Sequence, residues 1–283
     1  MTNTKSNEFL LKLCLQKLPD VNLQDWLSSK HKNIDSSRTF FLSFGLIARK
    51  IPRNPVTLSD EQVVFFRGLN QGFVPNQWTL DDLCRLSLLL ALDPQVSKDY
   101  ITTLIGASDM REQVVIYRSL PYLSNPEDFT MMTIDGIRTN MVDVFDAIAL
   151  DNDFAYRHFP QNAWNQMVLK AIFMERPIYR IWGLDERRNQ DLADILYDFV
   201  HERWSAKRLV TPELWRLVRG YLHPGILEDL QYVALNGSEI EKEAARKALE
   251  ESDDVAEKWL KDQKLSSATL SWEEIGKRII KGK

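Results

Sequence analysis

Chemistry in this chain is most naturally sought at His201-Glu202, which opens like a zinc-binding HExxH helix. In that motif two histidines one turn apart hold the metal beside a glutamate base. Ser205 stands where the second histidine belongs, and the other histidines, His31, His158 and His223, are scattered along the chain. A metal centre would need carboxylates from distant segments, so none is expected. The sequence has no GxGxxG and no GxxxxGK phosphate cradle, so no cofactor is expected either.

Polar side chains are densest among aromatic ones between Asp135 and Trp204. Arg138 falls on one helical face with Ile134, Met141 and Phe145, which would turn its guanidinium inward onto Asp143, Asp146 or Glu202. Such an arginine either ties two helices by an ion pair or anchors an anion. Asn140, Asn165 and Gln166 are satisfied core amides or ligand contacts, and sequence does not choose between the two. Trp164, Trp182, Trp204 and Trp215 suit core packing first and a flat or lipid-like ligand second. His158, ahead of Phe159-Pro160, reads as a cap or turn residue.

Those residues must be positioned by helices. The 283 residues include only 11 glycines, fewer than sheet proteins tend to need for their turns. Capping signals recur: overlapping caps over Thr57 to Gln62, then Thr79 to Asp82, Asp93-Pro94, Ser238 to Glu241 and Ser271 to Glu274, each open an apolar-periodic run. The spacing predicts one long amphipathic helix over Met131 to Leu150 despite Gly136, then helices over Trp164 to Met174 and Asn189 to Trp204. The expected fold class is all-α: stacked antiparallel helix pairs, α-solenoid-like (HEAT-like), or an irregular helical bundle.

Charge and composition exclude other classes. The 36 basic and 40 acidic residues are intermingled and give a net charge of −4, without the basic excess that phosphate neutralisation demands, so no nucleic-acid partner is expected. Cys14 and Cys84 lie in apolar helical runs and read as buried free thiols of a reducing compartment. The opening segment does not read as a signal peptide, and the most apolar run, Leu86 to Leu92, is far short of the ~20 residues that cross a bilayer. A cytoplasmic location, possible also at the inner face of the membrane, is the expectation.

Several blocks together resemble the EboA family of small bacterial proteins: Arg138-Thr139-Asn140 with Val144 to Ala149, His158-Phe159, Ala163 to Ala171, Gly183 to Arg187, and His201 to Trp204. Weaker similarity reaches back to the Phe40 to Arg49 helix and through Tyr117 to Pro121. The resemblance implies residues 1–236 as an EboA-like all-helical domain, while the shift to a more charged, less apolar composition marks 237–283 as a charged helical C-terminal cap or arm. It implies a role in secondary-metabolite traffic from the cytoplasm, beside other proteins of a metabolite-export operon, a membrane prenyltransferase-like protein among them. It carries no catalytic residues. The expected function is therefore a non-catalytic scaffold or binding protein for a small-molecule metabolite. The alternative is an enzyme acting on a metabolite precursor by carboxylate and histidine acid–base chemistry. The candidate ligand- or partner-binding residues are Arg138, Asn140, Asp143, His158, Trp164, Asn165, Gln166, Lys170, Glu186, Arg187, His201 and Glu202.

Overall fold

The computed structural model describes residues 3–281 and divides into two compact units, 1–160 and 161–283. Both are built from α-helices joined by short turns and 3-10 segments, and the fold is all-α. Among the described residues the sole extended pairing is an isolated bridge between Pro55 and Thr79.

The first unit contains α1 (Asn3–Lys17), α2 (Val21–Lys32), α3 (Ser37–Lys50), α4 (Asp60–Leu69), α5 (Leu80–Leu90), α6 (Pro94–Ala107), α7 (Met110–Ser119), α8 (Thr130–Gly136), α9 (Val142–Ala149) and α10 (Phe154–His158). Its core is α5, buried along nearly its whole length and packed by α1, α2, α3 and α7. Leu83, Leu86 and Leu88 are fully buried there, each such side chain contributing about 1.5–3 kcal/mol relative to exposure. The helix starts where the sequence says it must, with a capping box between Thr79 and Asp82. Its one buried cation, Arg85, is paired with Asp81 at 3.0 Å and lies over the Phe44 ring at 5.6 Å. Cys14 and Cys84 are buried free thiols, as expected.

The long helix expected over Met131 to Leu150 is broken into α8 and α9. Between them the Thr139 hydroxyl accepts a hydrogen bond from the Met141 amide at 3.1 Å, a local alternative to the helical ladder. The α4–α5 connection and the α9–α10 loop approach backbone to backbone. Asn70 Oδ1 accepts from the Gly72 and Asp153 amides at 3.0 and 3.1 Å, and the Asp153 carboxylate accepts from the Gln71 amide at 2.9 Å. Gly72 is required because a Cβ there would stand 2.6 Å from the Asn152 nitrogen.

The second unit contains α11 (Gln161–Phe173), α12 (Gln190–Ser205), α13 (Trp215–Val218), α14 (Pro224–Asn236), α15 (Glu239–Glu250), α16 (Asp254–Asp262) and α17 (Trp272–Lys281). Helices α14 and α15 form a hairpin, opened by the Ser238–Glu241 capping box, in which buried Ala244, Ala245 and Ala248 let the two backbones approach. The buried Glu243 carboxylate gathers the loop before α17, accepting from the Thr269 amide, the Thr269 hydroxyl at 2.9 Å and the Leu270 amide at 2.7 Å. Helix α17 then settles closely on this unit at Gly276, where a Cβ would lie 2.7 Å from the buried Glu213 carboxylate.

Candidate functional site

Three candidates of the first unit face water. Arg138 does not turn inward: its side chain is 73% exposed and pairs at 2.9 Å with Asp135. Ending α8 at Gly136 removes it from the apolar face that a continuous helix would have given it. Asn140 and Asp143, beside the same break, are exposed as well. His158 is half-buried at the end of α10, its ring 4.8 Å from that of Phe154. Burial lowers its pKa, and nearby Glu127 only partly opposes that.

In the second unit the start of α11 and the turn before α12 bring several candidates together. Asn165 and Asn189 exchange amide hydrogen bonds, Gln161 donates to Asn165 Oδ1 at 2.9 Å, and Asn189 Oδ1 caps α12 by accepting from the Leu192 amide. Trp164 is fully buried, with the Arg187 guanidinium 4.7 Å from its ring centroid. Its indole N–H has no hydrogen-bond partner. Gln166 and Glu186 are exposed, while Lys170 is half-buried, and burial lowers its pKa.

On α12, Glu202 is exposed, but His201 is held: its Nε2 lies 2.9 Å from the carboxylate of buried Asp229, and its ring meets those of Tyr197 and Trp204 at 4.5 and 5.7 Å. Burial raises the pKa of Asp229, with His201 opposing. Among the described residues no group of three or more His, Cys, Asp or Glu is placed to hold a metal ion, and no helix is long and apolar enough to cross a membrane.

A groove runs beside these helices. A cavity of about 260 Å³ lies between the end of α11 (Ile172, Phe173), Phe199 and Arg203 of α12, the Leu209–Glu213 segment, and Ile279 and Ile280 of α17. A second cavity of about 650 Å³ shares Leu209, Val210, Pro212 and Ile279 and extends over Ile240 and Leu270. Arg203 fixes the common wall by donating twice, at 3.0 and 2.8 Å, to the Leu209 carbonyl. The rim leaves Leu209 84% and Phe173 74% exposed.

The family model described as metabolite traffic protein EboA matches residues 7–219, three quarters of the chain. The chain belongs to the EboA family. That membership supports a metabolite-traffic role. No curated protein and no solved structure matches it.

The EboA match contains all twelve residues singled out by sequence, whereas part of the groove, α17 included, lies beyond it. Sequence reading passed over Asn189 and Asp229. Asn189 carried a usable signal, an Asn directly ahead of a periodic run. Asp229 sits inside an ordinary amphipathic helix, 28 residues from His201, and nothing local marks it. Asp153 was missed too: it is fully buried, with Oδ2 paired to Arg157 at 2.5 Å and Oδ1 unpartnered.

Proposed function

We propose that this EboA-family chain is a non-catalytic helical binding protein that holds a small-molecule metabolite during traffic from the cytoplasm. The observation that carries the reading is the second unit's groove. The larger of its two adjoining cavities falls in the size range of small-molecule sites, and most of the lining of the smaller one is apolar, with Glu175, Arg176, Arg203, Thr211 and Glu213 as polar points. The Trp164–Asn165–Arg187–Asn189 network braces α11 and α12, which form one side of it. The exposed Arg138, Asn140 and Asp143 are on this reading partner contacts, and the partners are other proteins of the same export operon, including a membrane prenyltransferase-like protein.

The test is equilibrium dialysis and native mass spectrometry of purified protein with pathway precursors. The precursor should be bound and recovered unchanged, and Leu209→Asp or Ile280→Asp, both at exposed rim positions, should weaken binding about tenfold or more through loss of apolar contact. Full binding by both variants would remove the groove from the mechanism.

One observation favours the enzyme reading: the buried Asp229 orients His201 as an aspartate orients a general base. Turnover of a precursor, abolished by His201→Gln and Asp229→Asn, would establish it in place of simple binding.

A further inference from the structure

Beyond the groove, the geometry points to a second site in the same unit, for a doubly charged oxyanion of the phosphate type. We infer it from an imbalance of charge. Asp185 accepts two hydrogen bonds from Arg216, at 2.7 and 2.5 Å, and forms an ion pair with Arg219 at 2.8 Å. Arg219 also pairs with Glu251, which is held in addition by Lys247 at 3.0 Å and by the Trp272 indole N–H at 2.9 Å. Arg188 completes the group, yet it binds only neutral carbonyl oxygens, those of Asp185 at 2.9 Å and Arg219 at 2.5 Å. Four cations (Arg188, Arg216, Arg219, Lys247) therefore meet two carboxylates (Asp185, Glu251), an excess of two positive charges.

The side chains of Arg216 and Arg219 are only 15% and 11% exposed, so water screens this excess poorly. The carbonyl end of α15 offsets at most about half a charge. Burial lowers the pKa of Arg219, and the neighbouring Arg188 and Arg216 push it the same way against Asp185. The cluster opens to solvent at Gly220, where an added Cβ would meet only Arg188, at 3.9 Å. A phosphate monoester near pH 7 carries about −1.5 to −2, which matches the excess, and its oxygens suit the planar guanidinium forks. No residue of the cluster lines the groove, so the two sites stand or fall separately.

The test titrates full-length protein with inorganic phosphate and with glycerol phosphate at fixed ionic strength, read by calorimetry. Wild type should bind saturably at or below millimolar concentration. Arg188→Gln should weaken binding about tenfold or more, Lys247→Gln should weaken it as well, and Glu251→Gln, which removes one negative charge, should tighten it about fivefold. Lys12→Gln, an exposed cation of the first unit, should change nothing. Circular dichroism identifies any variant that fails to fold, and the others then decide. Absence of saturable heat in wild type, or equal affinity in folded Arg188→Gln and Lys247→Gln, overturns the assignment.

Discussion

Asn165 and Asn189 each donate a side-chain amide proton to the other's oxygen, at 3.1 and 2.9 Å, across 24 residues of sequence. The pair joins the second turn of α11 to the cap of α12, and each member loses more than one bond when the other is removed. Asn165→Ala and Asn189→Ala should each cost about 1–3 kcal/mol, Asn189 also losing its cap. Because the partner is already orphaned, the double variant should cost clearly less than the sum. Urea denaturation of the four proteins tests this, and strict additivity would mean the amides do not act as a pair.

His31 makes the first unit sensitive to acid. Burial lowers its pKa from 6.5 to about 4, and its Nε2 lies 2.9 Å from the Ser87 hydroxyl, which itself donates to the Cys84 carbonyl. A histidine kept neutral by the fold contributes stability that is complete above pH 6.5 and lost as pH falls toward 4, because the unfolded chain takes up the proton first. The loss should reach roughly 3 kcal/mol. Replacing His31 by Gln should flatten this stretch of a stability-against-pH curve; an unchanged slope would assign the acid sensitivity elsewhere.

Gly72→Ala places a methyl group 2.6 Å from backbone atoms of Asp151 and Asn152, neither of which can swing away as a side chain would. The expected cost is about 1–3 kcal/mol, as for other overpacked sites. A lower urea midpoint at unchanged m-value is the signature sought. Wild-type stability in this variant would show that the two loops do not meet as described.

Arg138→Ala should leave folding alone. An exposed i,i+3 pair such as Arg138–Asp135 is worth about 0–1 kcal/mol, so the melting temperature should barely move. Loss of metabolite traffic in this variant would then report a missing contact with a partner, whereas a large drop in stability would place Arg138 in the interior after all.

Local signals carried most of the helix assignment. The capping boxes at Thr79 and Ser238 are formed between the residues the sequence nominates, Ser59 closes one with Gln62 within the overlapping caps of Thr57 to Gln62, and the apolar run around Leu86 lies in a buried helix. The break after Gly136 was hidden because the apolar spacing continues straight through it, while the backbone tightens into i→i+3 bonds, Arg138 to Asp135 and Thr139 to Gly136, and the Met141 amide turns to the Thr139 hydroxyl. Arg138 was misplaced for the same reason: its predicted face existed only in the unbroken helix. Partners such as Asn189 for Asn165, Asp229 for His201 and Glu251 for Arg219 lie 24 to 32 residues away, and no periodicity reports which polar residues fold back onto one another.

The Arg219–Glu251 ion pair, backed by Trp272, bears on where this protein can be cut. The EboA match stops at residue 219, a natural place to trim a gene for expression. A chain ended there would lose Glu251 and Trp272 from beside its last arginine, strip α17 from Glu213, and lay bare the surfaces that α14 and α15 cover. The stretch a family model can recognise is shorter than the stretch that must be made together, and fragments bounded by the match should be recovered as aggregates rather than as a working domain.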